Sequence, residues 1–246
     1  MRDLLVATRY LTIVPVRAAS HEDELALGRA APWFPVVGLA LGVVLALTDR
    51  LTDWLFPALL AALLTVTVWK LVTGGLHLDG LADCMDGLVA ADPEHRLGVM
   101  RDSRIGAFGA VGLILFLLLE IAALAELAPG LRGQVLLAAP AIGRAMPALL
   151  SLCFPAVPGG RGAAFAAGVR RSGVFVGLAV AAAIAVAALG WSGLIALIVA
   201  CVFCLALGRM FTTTLGGITG DVLGAAVELA EAGALLTVSA WEQWGR

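Results

Sequence analysis

The chain has 246 residues, 61% of them hydrophobic and 14% charged, with a mean hydropathy of +1.00 and a formal net charge of −2. Soluble domains run nearer half apolar and a quarter charged, so this composition excludes an ordinary soluble globule, a disordered chain and a small disulfide scaffold. It offers no clustered cationic surface for nucleic acid, and four cysteines are too few for a disulfide framework.

The first 17 residues read as a short amphipathic helix lying on a membrane surface and ending before Pro15. They do not make a convincing signal peptide, because Arg9 and Thr12 break the apolar stretch and His21-Glu22-Asp23-Glu24 comes next. Apolar runs then occur at 33–47, 54–72, 105–127, 134–154, 174–190 and 193–207, with a seventh at 222–241 that carries Glu228 and Glu231. About 20 helical residues cross a hydrocarbon core of about 30 Å, and open strands would leave backbone groups unpaired in lipid. The expected fold is therefore all-α: a polytopic integral membrane helical bundle of six or seven transmembrane helices, one membrane-embedded domain over 1–246. Lys and Arg outside the spans alternate 4, 1, 4, 1, 3, 0, 1 along the connections, counting Lys70 in the third group and Arg132 in the fourth. That pattern predicts a cytoplasmic N-terminus.

The first chemical signal is Gly74-Gly75-Leu76-His77-Leu78-Asp79-Gly80-Leu81-Ala82-Asp83-Cys84-Met85-Asp86-Gly87. Its aspartates fall at i, i+4 and i+7, which places three carboxylates on one helical face. Such stacked charges repel, and a divalent cation removes the penalty. An all-oxygen set suits Mg²⁺ or Mn²⁺ rather than Zn²⁺. An N-cap role for Asp79 alone leaves the other two acids unexplained.

In the next connection, 92–109, Arg101 and Arg104 stand one helical turn apart, ready to clamp phosphate oxygens, and Ser103 adds a hydroxyl. A positive-inside flank is the competing explanation. Gly106 and Gly109 read as helix-packing residues.

A second stretch, Gly216-Gly217-Ile218-Thr219-Gly220-Asp221-Val222-Leu223-Gly224-Ala225-Ala226-Val227-Glu228, echoes the first. Gly-Gly meets Gly-Gly, Asp79 meets Asp221 and Asp86 meets Glu228, which hints at an internal repeat. Asp221, Glu228 and Glu231 share a face. Each Gly-Gly pair breaks a helix and brings backbone N–H groups near an anion. Gly75, Gly217, Thr219 and Gly220 are thus candidate phosphate contacts beside Arg101, Ser103 and Arg104. His77 is a candidate proton carrier or phosphate ligand. Arg144 lies mid-span and calls for an acidic partner within the bundle. Cys201 and Cys204 read as small buried side chains. The connection 155–173 is glycine-rich and basic, either a substrate loop or a flexible linker.

On Gly75-Leu76-His77-Leu78-Asp79-Gly80-Leu81-Ala82-Asp83 with Asp86-Gly87, on Arg101-Asp102-Ser103-Arg104-Ile105-Gly106-Ala107-Phe108-Gly109, on Gly216-Gly217-Ile218-Thr219-Gly220-Asp221 and on Tyr10-Leu11-Thr12-Ile13-Val14-Pro15-Val16, the chain resembles the cobalamin synthase family. The resemblance implies an Mg²⁺-dependent enzyme of the bacterial inner membrane. It would join adenosylcobinamide-GDP to α-ribazole or its 5′-phosphate and release GMP, with a homo-oligomer left open. On that reading Asp79, Asp83, Asp86, Asp221 and Glu228 hold the metal, and Asp86, Asp221 or His77 takes the proton of the attacking hydroxyl. Asp83-x-x-Asp86-Gly87-x-x-Ala90 also looks like part of the CDP-alcohol phosphotransferase signature, although Ala91 replaces the usual Arg. A lipid phosphotransferase and a cation-coupled transporter are the competing functions.

Overall fold

The computed structural model describes residues 2–16, 25–90 and 92–245. Arg17, the acidic residues 21–24, Ala91 and Arg246 lie outside them. Twelve α-helices are present among the described residues: α1 (Arg2–Leu11), α2 (Ala26–Arg29), α3 (Phe34–Leu55), α4 (Ala58–Val72), α5 (Leu76–Val89), α6 (Pro93–Met100), α7 (Ala107–Glu126), α8 (Pro129–Cys153), α9 (Arg161–Gly168), α10 (Arg171–Leu189), α11 (Trp191–Leu215) and α12 (Gly220–Trp244). Six of these are long and apolar enough to cross a membrane, and α4 with α5 forms a seventh candidate broken by a 92° bend. The protein is a multi-pass helical membrane bundle.

Short connections at 56–57, 127–128 and 190 close one end of the bundle, and the long ones gather at the other. The central helices are α8 and α12, enclosed along most of their length, while α7, α10 and α11 turn most of their surface outward. That outer surface carries Ile114, Leu118, Phe175 and Phe203, all exposed, as lipid contact requires. Close helix approach rests on small residues. A Cβ at Gly42 of α3 would stand 2.8 Å from the Leu137 Cα of α8.

The bend between α4 and α5 has a local cause. Gly74 and Gly75 both adopt left-handed backbone, φ 64° and 68°, and their N–H groups donate to the Leu71 and Lys70 carbonyls at 3.0 Å. Two such residues terminate α4 after 15 residues and send α5 off across the loop-rich end of the bundle. Gly216, φ 78°, ends α11 in the same way, but α12 is a 25-residue span where α5 has 14. The two glycine motifs are alike as helix stops and differ in the length of the helix that each one opens.

Polar residues inside the spans correct two expectations and bear out a third. The first apolar run does not stop at 47: α3 continues to Leu55 because Asp49 is buried against Arg132 of α8, which also reaches Asp53 at 3.1 Å. Lys70 is no loop charge. It lies in the interior and donates to Glu120 of α7 at 3.0 Å and to Glu228 of α12 at 2.6 Å, with Glu231 at 3.8 Å. Arg144 of α8 has the acidic partner its position demanded, Glu231. With Lys70 and Arg132 assigned to the interior, the alternation of basic connections survives.

The segment before the spans is more than a surface anchor. Val6, Ala7 and Leu11 of α1 are buried, and the Ile13 N–H donates to the Val72 carbonyl at 2.8 Å, which ties this segment to the end of α4. Nor is 155–173 a loose linker, since it contains α9. Its start pairs with the stretch before α12: Ile218 N–H donates to Pro155 at 2.9 Å and Val157 N–H to Ile218 at 3.0 Å.

Candidate functional site

The helices α5 and α12 cross in backbone contact. A Cβ at Gly80 would meet the Asp221 carbonyl oxygen at 2.7 Å and its Cα at 3.0 Å, so only glycine permits this approach. Gly224, one turn along α12, faces the Cα atoms of His77 and Gly80. The crossing brings the acidic face of α5 against the first turn of α12. The charges of Asp221, Asp79 and Asp86 all bear on Asp83, and that of Asp79 bears on Asp221. Thr219 caps α12 by accepting from Val222 N–H at 3.3 Å, and its hydroxyl donates to the Asp221 carboxylate at 3.2 Å. Among the described residues, no salt bridge reaches Asp79, Asp83 or Asp221.

Beside this crossing lies a cavity of about 370 Å³. The first residues of three helices line it: Leu76 and His77 of α5, Arg161 and Gly162 of α9, and Gly220 and Asp221 of α12. Helix N-termini present free N–H groups and the positive dipole end, an arrangement suited to phosphate. Asp79 and Asp221 supply carboxylates to the wall, and Arg101 and Arg161 supply cations. The rest is apolar and aromatic, with Tyr10 stacked on Phe34 at 6.4 Å between centroids and Phe34 on Phe165 at 5.7 Å. Burial pushes the Tyr10 phenol above its usual range.

The structure thus gathers Asp79, Asp83, Asp221, His77, Arg101, Thr219 and Gly220, and it gives the other candidates different work. Asp86 is a cap for a neighbouring helix. Its two carboxylate oxygens accept from the backbone N–H groups of Gly106 and Gly109, each at 2.7 Å, at the start of α7. A Cβ on either glycine would collide with that carboxylate, so both serve the cap, and Gly109 also packs α7 on α5, where its Cβ would stand 2.9 Å from the Ala82 carbonyl oxygen. Arg104 is not one helical turn beyond Arg101, because α6 ends at Met100 and the chain through 106 is non-helical. Instead Arg104 folds back on Asp102 at 2.6 Å and is 86% exposed; this pair holds the Asp102 carboxyl down to about 2. Ser103 is exposed beside it. Gly75 shapes the bend, and Gly217 packs against Pro155 and Val157. Neither lines the cavity.

Glu228 is likewise removed from the aspartates. It lies two helical turns below Asp221 and pairs with Lys70 in the interior. Together with Glu120 and Glu231 it forms the one trio of candidate ligand residues, among those described, whose ligand atoms all lie within 4.8 Å of one another. Lys70 and Arg144 already pair with all three members of that trio.

The aspartates at the crossing are more widely spaced, and this suits a hydrated cation. Mg²⁺ keeps several waters and is usually held by one or two carboxylates together with substrate phosphates, not by a tight protein cage. The donor set at the crossing is hard oxygen throughout, uncompensated by any protein cation in salt-bridge contact. Sequence reasoning missed Tyr10, Phe34, Arg161 and Phe165, which come from three separate segments. The basic, glycine-rich connection was the one signal that pointed to Arg161.

Fold and site define a polytopic membrane protein built around an acid-rimmed cavity with converging helix N-termini. The profile of the cobalamin-5-phosphate synthase family matches residues 3–239. Adenosylcobinamide-GDP ribazoletransferase from Pseudomonas paraeruginosa is 42% identical over 248 residues, covering 97% of this chain and 98% of its own length. The proteins of the same name from Stutzerimonas stutzeri and Roseiflexus sp. are 40% and 39% identical, covering 96% and 95% of this chain and 97% and 87% of their own lengths. No solved structure matches. The chain belongs to the cobalamin-5-phosphate synthase family and is an enzyme of cobalamin synthesis.

Proposed function

We propose that this enzyme joins adenosylcobinamide-GDP to α-ribazole, or to its 5′-phosphate, and releases GMP, with Mg²⁺ as the required ion. The reading is supported by the relatives' shared name. The observation that carries it is the meeting of Asp79, Asp83 and Asp221, from two distant segments and without a salt bridge, where Asp79 and Asp221 line a cavity bordered by three helix N-termini. An unpaired acid cluster beside N–H groups and arginines is what a diphosphate with its counter-ion needs.

In this reaction a ribose hydroxyl of the ribazole forms a bond to the corrinoid-side phosphorus, and the bond from that phosphorus to the GMP oxygen breaks. Asp79, Asp83 and Asp221 would hold the ion, which when bound neutralises charge on the diphosphate and on the departing GMP. Arg101 stabilises the non-bridging oxygens. The N–H groups opening α9 and α12 orient the diphosphate. Asp221 and His77 border the cavity and are the groups placed to receive the proton of the attacking hydroxyl. Asp86 anchors α5 to α7 instead. The chain acts as one membrane-embedded domain in the bacterial inner membrane, with the loop-rich end facing the cytoplasm, as the basic connections favour.

The test is incubation of purified protein with adenosylcobinamide-GDP, α-ribazole and Mg²⁺. GMP and a corrinoid with an attached nucleotide are expected, EDTA should stop turnover and added Mg²⁺ should restore it. Absence of GMP release would overturn the reaction, and full turnover in EDTA would overturn the ion.

A further inference from the structure

Inside the bundle, away from the cavity, the charges do not balance. Three carboxylates, Glu120 of α7 with Glu228 and Glu231 of α12, offer oxygens within 4.8 Å of one another. The cations whose charges bear on them are Lys70 of α4 and Arg144 of α8, and all five side chains are buried. With every group ionised, three negative charges meet two positive ones. The surplus charge would lie between transmembrane helices, without water to solvate it, where it is most costly.

The neighbouring elements do not make up the difference. His77 of α5 meets the charges of Lys70 and Arg144 rather than those of the carboxylates. Cys204 of α11 donates to the Ala226 carbonyl at 3.3 Å. The pairing itself singles out one acid. Arg144 is taken by Glu231, and Lys70 stands closest to Glu228, at 2.6 Å, with Glu120 at 3.0 Å. Two buried oxygens, Oε2 of Glu120 and Oε2 of Glu231, accept no hydrogen bond among the described residues. A proton on Glu120 removes the surplus charge. It also turns one of these bare acceptors into a donor, with Glu231 close by to receive it. A small metal ion would balance the charge too, but the Lys70 ammonium already stands between Glu120 and Glu228. We infer that this cluster is a buried proton site: at neutral pH it holds one proton, on Glu120 and shared toward Glu231, and α4, α7, α8 and α12 close around it.

The sign of the pH effect follows. In the unfolded chain Glu120 is an ordinary carboxyl that gives up its proton in acid, so above that range the folded state binds one proton more. Stability therefore falls as rising pH strips the proton from the fold. The test is thermal unfolding of the full chain in detergent, from about pH 6 to about pH 10, read as folded protein surviving on gel filtration. Tm of the unaltered protein should fall at the alkaline end by about 3–5 °C per pH unit. Glu120→Gln copies the protonated acid and should remove that slope. Glu228→Gln takes away the same charge and should remove it as well, from a lower Tm, since Lys70 loses its closest partner. An alkaline slope in Glu120→Gln equal to that of the unaltered protein would overturn the site. Should Glu120→Gln fail to fold, the slope of Glu228→Gln decides in the same way. A Tm of the unaltered protein that stays level into the alkaline range, or that sodium chloride raises above choline chloride of equal strength, would also overturn it, the latter in favour of a metal ion.

Discussion

Two acid clusters lie within two helical turns of each other on α12, and their surroundings differ. Glu228 and Glu231, with Glu120, face Lys70 and Arg144 inside the bundle and are ion-paired. Asp221 and Asp79 border a cavity, Asp83 stands beside them, and none of the three has a salt bridge among the described residues. Carboxylates that a fold can satisfy from its own cations hold helices together. Carboxylates left without cations are free to take one from outside the chain. Acid spacing looks alike in both cases, and only the partners tell them apart.

The comparison can be broken most directly at Asp83. On the proposed reading Asp83→Asn should lower GMP release by about 10²–10³-fold or more, because it would remove one ion contact from an otherwise intact site. Folding should be kept, since the change also relieves repulsion from Asp221, Asp79 and Asp86. Helical content and gel-filtration behaviour would check that. Lys70→Met should show the opposite pattern. It strips Glu120 and Glu228 of their cation, and breaking a buried pair costs about 3–5 kcal/mol, seen as lost folded protein and a lower Tm. Glu228→Gln sharpens the contrast further, with turnover within about threefold of the unaltered enzyme and the same Mg²⁺ dependence. If this variant lost its response to Mg²⁺, the two clusters would not be separate. Gly80→Ala tests the joint between them: forcing α5 off α12 should cost about 1–3 kcal/mol and slow turnover as Asp79 and Asp83 move away from Asp221. Arg104→Ala comes last, because its partnership with Asp102 is exposed; kcat should change by less than about twofold.

The spans were legible in the sequence because lipid demands long apolar runs, and the break at Gly74-Gly75 was legible because glycine alone tolerates that backbone. What escaped was pairing across helices. The run ending at 47 looked complete because Asp49 reads as polar, yet Arg132, 83 residues away, lets α3 continue. Lys70 looked like a flank for the same reason. Periodicity put Glu228 on the face of Asp221, but a shared face says nothing about which layer of the bundle each residue meets. Asp86 had the spacing of a ligand, and only the return of the chain at Gly106 and Gly109 turned it into a cap. The aromatic wall of the cavity was invisible, since its members are adjacent only after folding.

The double attachment of α5 has one more consequence. At Gly80 this helix is wedged on α12, and at Asp86 it is bolted to the start of α7, so it cannot slide without loosening two transmembrane helices at once. The spacing of the aspartates is therefore held by two neighbouring helices and not by α5 alone.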